Sequence, residues 1–253
     1  MKHIVVCGWV RCGNRWLARL LAYYADEREE IDPSARFGQD YWKATLPVHY
    51  FGKAATIAVS HFPAYGFWED GAWTCRDSEA QDTYLIHTQR DPRDAFVSWY
   101  YVLREGGMLS PEGQTWKGYL SWLTEQEYCP FRYYVQSWLT LKAASLPNIT
   151  WVSHEWMREH RAESLLYLVE QMGFPPDEER ARYAADILES EPYRASYLQP
   201  GVPIERGIPG KWKRLFDAED ARLVEDFCGD LIVALGYGGD PNWERLLERT
   251  GSV

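Results

Sequence analysis

The chain has no run of eighteen uninterrupted apolar residues, which excludes a transmembrane helix. It has no surplus of positive charge either. Lys and Arg number 27 against 37 Asp and Glu, a formal net charge of −10 over 253 residues. Broad binding to nucleic acid or to an anionic membrane needs a basic face, so neither is an expected partner. A small anionic ligand stays open, because a pocket can be locally positive in an acidic protein. The five cysteines, at 7, 12, 75, 129 and 228, are odd in number and contain no C-x-x-C pair. They read as free thiols in a reducing cytoplasm. No secretory leader is visible: an apolar strand begins within three residues of the start and meets Arg11 and Arg15. Internal repeats and low-complexity tracts are also missing.

What is present is enough apolar mass, 46% of residues, for a sizeable core. The simplest organisation is one domain over 1–253. Short, mostly apolar runs at His3–Cys7, Thr56–Ser60, Thr83–Thr88 and Asn148–Ser153 read as strands. Segments with helical spacing lie near 14–25, 92–104, 130–145, 161–172, 177–190 and 218–235. Asp91-Pro92 offers a cap and a first-turn proline to the second helix, and Gly173 closes the fourth. Strands alternating with helices predict an α/β fold with a central, mostly parallel sheet flanked by helices. Residues 26–55, 62–82 and 192–214 are weakly periodic and are expected to be surface loops of the kind that covers a substrate. The 13 Trp and 17 Tyr are most simply core aromatics. Tyr65, Phe67, Trp68, Trp73 and the 99–101 Trp-Tyr-Tyr cluster fit either core packing or an aromatic acceptor pocket.

The most informative stretch is Gly8-Trp9-Val10-Arg11-Cys12-Gly13-Asn14-Arg15-Trp16. It joins an apolar strand to an amphipathic helix, so backbone N–H groups and a positive helix end converge where a phosphate is favoured. The glycine spacing fits G-x-x-x-x-G, but Asn14-Arg15 replaces the Lys-Ser/Thr that would complete a magnesium-binding P-loop. A second anion signal is Arg90-Asp91-Pro92-Arg93-Asp94, with Ser98 about two helical turns on. Arg90 carries a fork of donors suited to phosphate oxygens, and it is equally able to pair with Asp91 or Asp94. A third is Glu205–Phe216, with two glycines and four basic residues. Alone it reads as a solvated basic loop.

Taken in order, these segments resemble the signatures of the cytosolic-type sulfotransferases that use 3′-phosphoadenosine 5′-phosphosulfate (PAPS). Trp9–Trp16 is similar to the family's 5′-phosphosulfate loop, and Cys12-Gly13-Asn14 occurs in that loop in bacterial relatives. Arg90–Asp94 with Ser98 resembles the segment that holds the 3′-phosphate, and Glu205–Lys213 resembles the third signature. Ser60-His61-Phe62-Pro63 is similar to the family's Thr-His-x-Pro, whose histidine is the catalytic base. The resemblance implies a P-loop-like three-layer fold and PAPS as co-substrate, with PAP as product and no metal. It implies His61 as base and Arg11 at the bridging oxygen. Cys12, Gly13, Asn14 and Arg15 belong to the 5′-phosphate loop, and Trp16 stacks on adenine or serves as a core aromatic. Arg90, Ser98, Arg206 and Gly207 go to the 3′-phosphate.

The sequence departs from the family at five of the positions these signatures cover. Arg11 stands where Lys is usual, Asn14 and Arg15 replace two threonines, Glu205 replaces Arg, and Lys211 replaces Asp. Sulfuryl carries one negative charge fewer than phosphoryl, so positioned arginines and backbone N–H groups suffice to stabilise its transfer. An imidazole suits removal of a hydroxyl proton near neutrality. The expected acceptor is a small molecule, aromatic or hydroxylated, taking the sulfuryl group on a hydroxyl or less readily an amine. The alternatives are a small-molecule P-loop kinase and a non-catalytic nucleotide-binding protein. No dimer motif is visible after Phe216, so no oligomeric state is read.

Overall fold

The computed structural model describes residues 3–25, 44–50, 53–60, 66–69, 72–75, 83–125, 130–143, 145, 147–189 and 208–248. The chain forms two compact units, each assembled from two stretches: Met1–Gln89 with Leu141–Pro200, and Arg90–Thr140 with Gly201–Val253. Because the stretches interleave, no linker or change of composition marks a boundary along the sequence.

The first unit holds a five-stranded sheet in the order β2-β3-β1-β6-β7. Its strands are β1 (His3–Cys7), β2 (Ala44–Tyr50), β3 (Lys53–Ser60), β6 (Thr83–Gln89) and β7 (Ile149–Ser153). β1 runs parallel to both β3 and β6, and β6 runs parallel to β7. Only β2 is antiparallel, and it lies at the edge. The mostly parallel sheet and the α/β class agree with the sequence reading. Helices α1 (Asn14–Ala25), α6 (Arg161–Gln171) and α7 (Glu178–Glu189) share one core with the sheet. Ile4 and Val6, Ile57 and Val59, and Tyr84 and Ile86 supply that core at every second strand position. Leu17, Leu20, Leu21 and Tyr24 meet them from α1. The period of two in the strands and the 3.6-residue stripe in α1 therefore converge on one buried face.

Two of the expected surface loops contain strands. Within 26–55, residues 44–50 form β2, pairing Pro47 opposite Thr56. Proline has no N–H to donate, so it fits a strand only where one side faces no partner, and the edge provides that. Within 62–82, β4 (Gly66–Glu69) and β5 (Ala72–Cys75) form an antiparallel pair with Glu69 opposite Ala72. The intervening Asp70-Gly71 is a strong hairpin dipeptide. At the end of 192–214, residues Trp212–Leu215 are a short helix, α8.

The second unit contains α2 (Pro92–Glu105), a 3₁₀ turn (Glu112–Gln114), α3 (Trp116–Thr124), most of α4 (Pro130–Ala143), α8, α9 (Ala218–Ala234) and α10 (Pro241–Glu248). Asp91 caps α2 by accepting the Arg93 N–H, with Pro92 at the first turn, as the sequence indicated. The aromatic core links Phe96 to Phe131 (4.9 Å) and Trp116 to Phe216 (5.2 Å). Within the 99–101 cluster, Tyr100 is a core residue: it is buried and its hydroxyl donates to the Gln114 carbonyl at 2.7 Å. α5 (His154–Glu159) follows β7 directly, with Ser153 accepting the Trp156 N–H as its cap.

His87 lies on the sheet face opposite Ile86, its ring 4.4 Å from that of Trp151 on β7. Burial, and secondarily the Lys142 ammonium, push its imidazole down to about 3. The unfolded chain takes up this proton near pH 6.5, and the folded one does not until far lower pH. Stability contributed by neutral His87 is therefore present above about pH 6.5 and lost as pH falls towards 3. His87→Phe should flatten the acid limb of a urea-midpoint profile between pH 6 and 4. It removes a slope of up to about 1.4 kcal/mol per pH unit; an unchanged slope contradicts the assignment.

Candidate functional site

The parallel register places several chain ends on one rim of the sheet. Cys7, the last residue of β1, is level with Ser60 of β3 on one side and His87 of β6 on the other. Ser153 of β7 is level with Gln89. β1 thus has parallel neighbours on both sides, and the carboxyl ends of such strands are where α/β sheets bind ligands. The loop from Gly8 to Gly13 leaves β1 at this rim and enters α1.

The loop turns through two residues of positive φ. Cys12 N–H donates to the Trp9 carbonyl at 3.2 Å, closing a four-residue turn with Arg11 at its third position. A type II turn demands positive φ there, and Arg11 takes φ 71°. An arginine in that region is strained, and strain of this kind concentrates at functional sites. Gly13 follows at φ 91°. Leu17 N–H then closes the first helical bond onto the Gly13 carbonyl at 2.9 Å, so the amides ahead of it point out of the helix end.

Asn14 faces inward. At 2% exposure its carboxamide N–H donates to the Gly8 carbonyl at 2.7 Å, while its oxygen accepts from the Thr88 hydroxyl. Thr88 also reaches the Cys7 carbonyl at 3.1 Å. The side chain of Asn14 therefore clasps the two ends of its own loop, and what it can present to an anion is its backbone N–H. Gly8 is required by the same contacts. A Cβ there would strike the Thr88 hydroxyl, the Asn14 oxygen and, at 2.7 Å, the Thr88 carbonyl.

Gly13 is backed by His154, the first residue of α5 and 5% exposed. A Cβ on Gly13 would lie 2.7 Å from the imidazole Cδ2. The sequence marks neither His154 nor Thr88 as a contact of this loop. The one available signal was that each ends, or follows at once, a parallel strand. Cys12 is a buried free thiol, and Arg11 and Arg15 are half-buried. Trp16 belongs to the core at 8% exposure, with the Arg158 guanidinium 6.0 Å from its ring centroid. His61 follows Ser60 directly, but it lies outside the described residues, as do Arg206 and Gly207.

The second anion segment opens the other unit. Arg90 is 4% exposed, and Ser98 is half-buried on α2. The sequence left Arg90 able to pair with either aspartate, and the contacts show what each carboxylate holds. Asp91 receives Arg93 in a two-pronged pair, Nε to Oδ1 and Nη2 to Oδ2, both at 2.8 Å. The Trp212 indole N–H adds a further bond, to Oδ2, at 3.1 Å. Arg93 lies against the Trp212 and Trp243 rings, which meet edge to face, its guanidinium 4.3 and 4.8 Å from their centroids, and it also donates to the Tyr237 carbonyl at 2.8 Å. Asp94 accepts the backbone N–H of Gly210 at 2.6 Å and of Trp212 at 3.1 Å. Burial raises its carboxyl above the usual range; the Arg90 guanidinium and the two N–H groups oppose that. The second and third sequence motifs are thus joined through two buried carboxylates. Among the described residues no group of three or more His, Cys, Asp or Glu is placed to hold a metal ion, and no helix is long and apolar enough to cross a membrane.

The sequence model of the sulfotransferase domain matches residues 52–236, well over half of the chain. The protein belongs to the sulfotransferase domain family, whose chemistry is sulfuryl transfer. Among solved structures, the mouse sulfotransferase SULT7A1 complexed with PAP is 15% identical; the match covers 98% of this chain and 89% of that one, with a TM-score of 0.63. Retinol dehydratase in complex with retinol and PAP is 14% identical, covering 92% and 82%, with a TM-score of 0.63. Its complex with androsterone and PAP is likewise 14% identical, covering 92% and 81%, at a TM-score of 0.61. At such identities the likeness is one of fold. No curated protein sequence matches the chain.

Gly13→Ala should cost about 1–3 kcal/mol in urea unfolding, through positive-φ strain together with the His154 contact. Adding His154→Ala should recover only the contact part, since the backbone strain remains. Full stability of Gly13→Ala alone would contradict the geometry.

Proposed function

We propose that this protein transfers a sulfuryl group from PAPS to a hydroxyl of a small molecule, without a divalent ion. The observation that carries the reading is the β1–α1 loop. In a member of the sulfotransferase family, Arg11 and Gly13 at positive φ turn a strand into a helix start at the rim where β1 meets parallel neighbours on both sides. Further support comes from relatives of the same fold that were crystallised with PAP. Retinol and androsterone in the retinol dehydratase complexes favour a small acceptor here too.

The roles follow from chemistry. The amides of residues 13–16, with the Arg15 guanidinium, hold the 5′-phosphate at the helix end. The acceptor oxygen forms a bond to sulfur as the bond from sulfur to the bridging phosphate oxygen breaks. That oxygen leaves with the electron pair, and Arg11 stabilises the charge it gains. His61, directly after β3 in the sequence, takes the acceptor proton. Arg90, Ser98, Arg206 and Gly207 are assigned to the 3′-phosphate, and Trp16 to adenine, by sequence resemblance alone. Arg11 cannot give up a proton near neutrality, so its role is electrostatic.

The test is calorimetry with PAP, followed by PAP release from PAPS with a panel of small hydroxylated acceptors in excess EDTA. Tight PAP binding and EDTA-insensitive turnover are expected. His61→Ala should lower turnover by about 10²–10⁴-fold with PAP affinity unchanged. Absence of PAP binding overturns the donor assignment, and full turnover in His61→Ala overturns the base.

A further inference from the structure

Asp94 stands one helical turn after Arg90, in a buried corner of the second unit. Its two carboxylate oxygens are divided between two backbone N–H groups from more than a hundred residues away, Gly210 on Oδ2 and Trp212 on Oδ1. Gly210 takes φ 79°, the turn that presents its N–H and that of Trp212 to one side chain. Asp91 holds the same tryptophan by its indole N–H and is itself matched by Arg93. The charge of the Arg90 guanidinium also acts on the Asp94 carboxylate.

We propose that Asp94 is a positioning residue for anion capture at this corner, holding the Arg90 guanidinium and the 210–212 turn in one frame. The inference rests on the donor reading above, in which this corner serves the 3′-phosphate. The physical reason is that a carboxylate is the one side chain of this size with two acceptor oxygens and a charge to aim a guanidinium. Asparagine keeps the shape but offers a single acceptor. Its NH₂ would point at one of the two N–H groups, and Arg90 would lose the charge it faces. A contact that served packing alone would lower stability without regard to which nucleotide is bound.

The experiment compares calorimetric binding of PAP and of adenosine 5′-monophosphate, which lacks the 3′-phosphate, to the full-length chain. Asp94→Asn should weaken PAP by about tenfold or more and leave the monophosphate unchanged, so that the preference for PAP falls by the same factor. Asp94→Glu, which keeps both oxygens and the charge, should keep part of the preference. Asp220→Asn loosens the capping box of α9 and serves as a structural control. It should lower Tm with the preference intact. A wild-type preference in Asp94→Asn, or equal loss of both nucleotides, overturns the inference. Should Asp94→Asn fail to fold, Asp94→Glu decides: a fall in preference of at least about threefold supports the role and no fall overturns it. A wild-type protein that binds both nucleotides equally, or neither, fails the donor reading instead.

Discussion

The site depends on one close approach, that of Thr88 on β6 to Gly8 at the end of β1. Parallel pairing brings the two strands level, and only a residue without a Cβ lets the Thr88 carbonyl and hydroxyl come so near the loop. That hydroxyl then meets the Asn14 carboxamide, which reaches back to the Gly8 carbonyl. The loop is closed by its own first and last side-chain contacts before any ligand arrives. Of its positive-φ residues, Arg11 sits at the third position of the turn closed by Cys12 on Trp9, and Gly13 lies against His154.

A comparable economy governs the second unit. Buried charge is costly unless each oxygen and each N–H finds a partner. Asp91 and Asp94 meet that condition by spending every oxygen on a named donor: Arg93, the Trp212 indole, and two backbone amides. Arg93, 1% exposed, completes the arrangement against two tryptophan rings. The basic segment that alone would read as a solvated loop is, over residues 210–212, fastened to the start of α2.

Elements whose signal is local were legible in the sequence. Asp91-Pro92 marked the start of α2, Gly173 the end of α6, and the apolar runs marked β1, β3, β6 and β7. β2 was hidden because an edge strand tolerates Pro47 and needs no continuous apolar run. The β4–β5 pair was hidden within a polar-aromatic stretch despite its Asp-Gly. α3, α5, α8 and α10 are too short to show a sustained helical period. At the site, the glycines and arginines of the loop were visible. The inward turn of Asn14, the contact of Thr88 and the backing of Gly13 by His154 were not. Each depends on which strands become parallel neighbours, and residues 7, 87 and 153 carry no local mark of that pairing.

The departure of this loop from the magnesium-binding pattern has a structural meaning beyond the missing hydroxyl. In the G-x-x-x-x-G-K-[ST] arrangement the residue after the second glycine extends a cation to the phosphates, and the next one supplies the hydroxyl. Here the first of these positions is Asn14, turned inward to lock the loop, and the second is Arg15. In the proposed function the task of charge moves one residue along α1 and is shared with Arg11 at the turn. Rigidity that the NTPase loop shares with its bound ion is supplied here by a carboxamide, a threonine and an imidazole edge. Such a loop presents fixed positive charge and fixed amides at a helix end. Those are the groups that stabilise a leaving phosphate oxygen when the group being transferred carries little charge of its own.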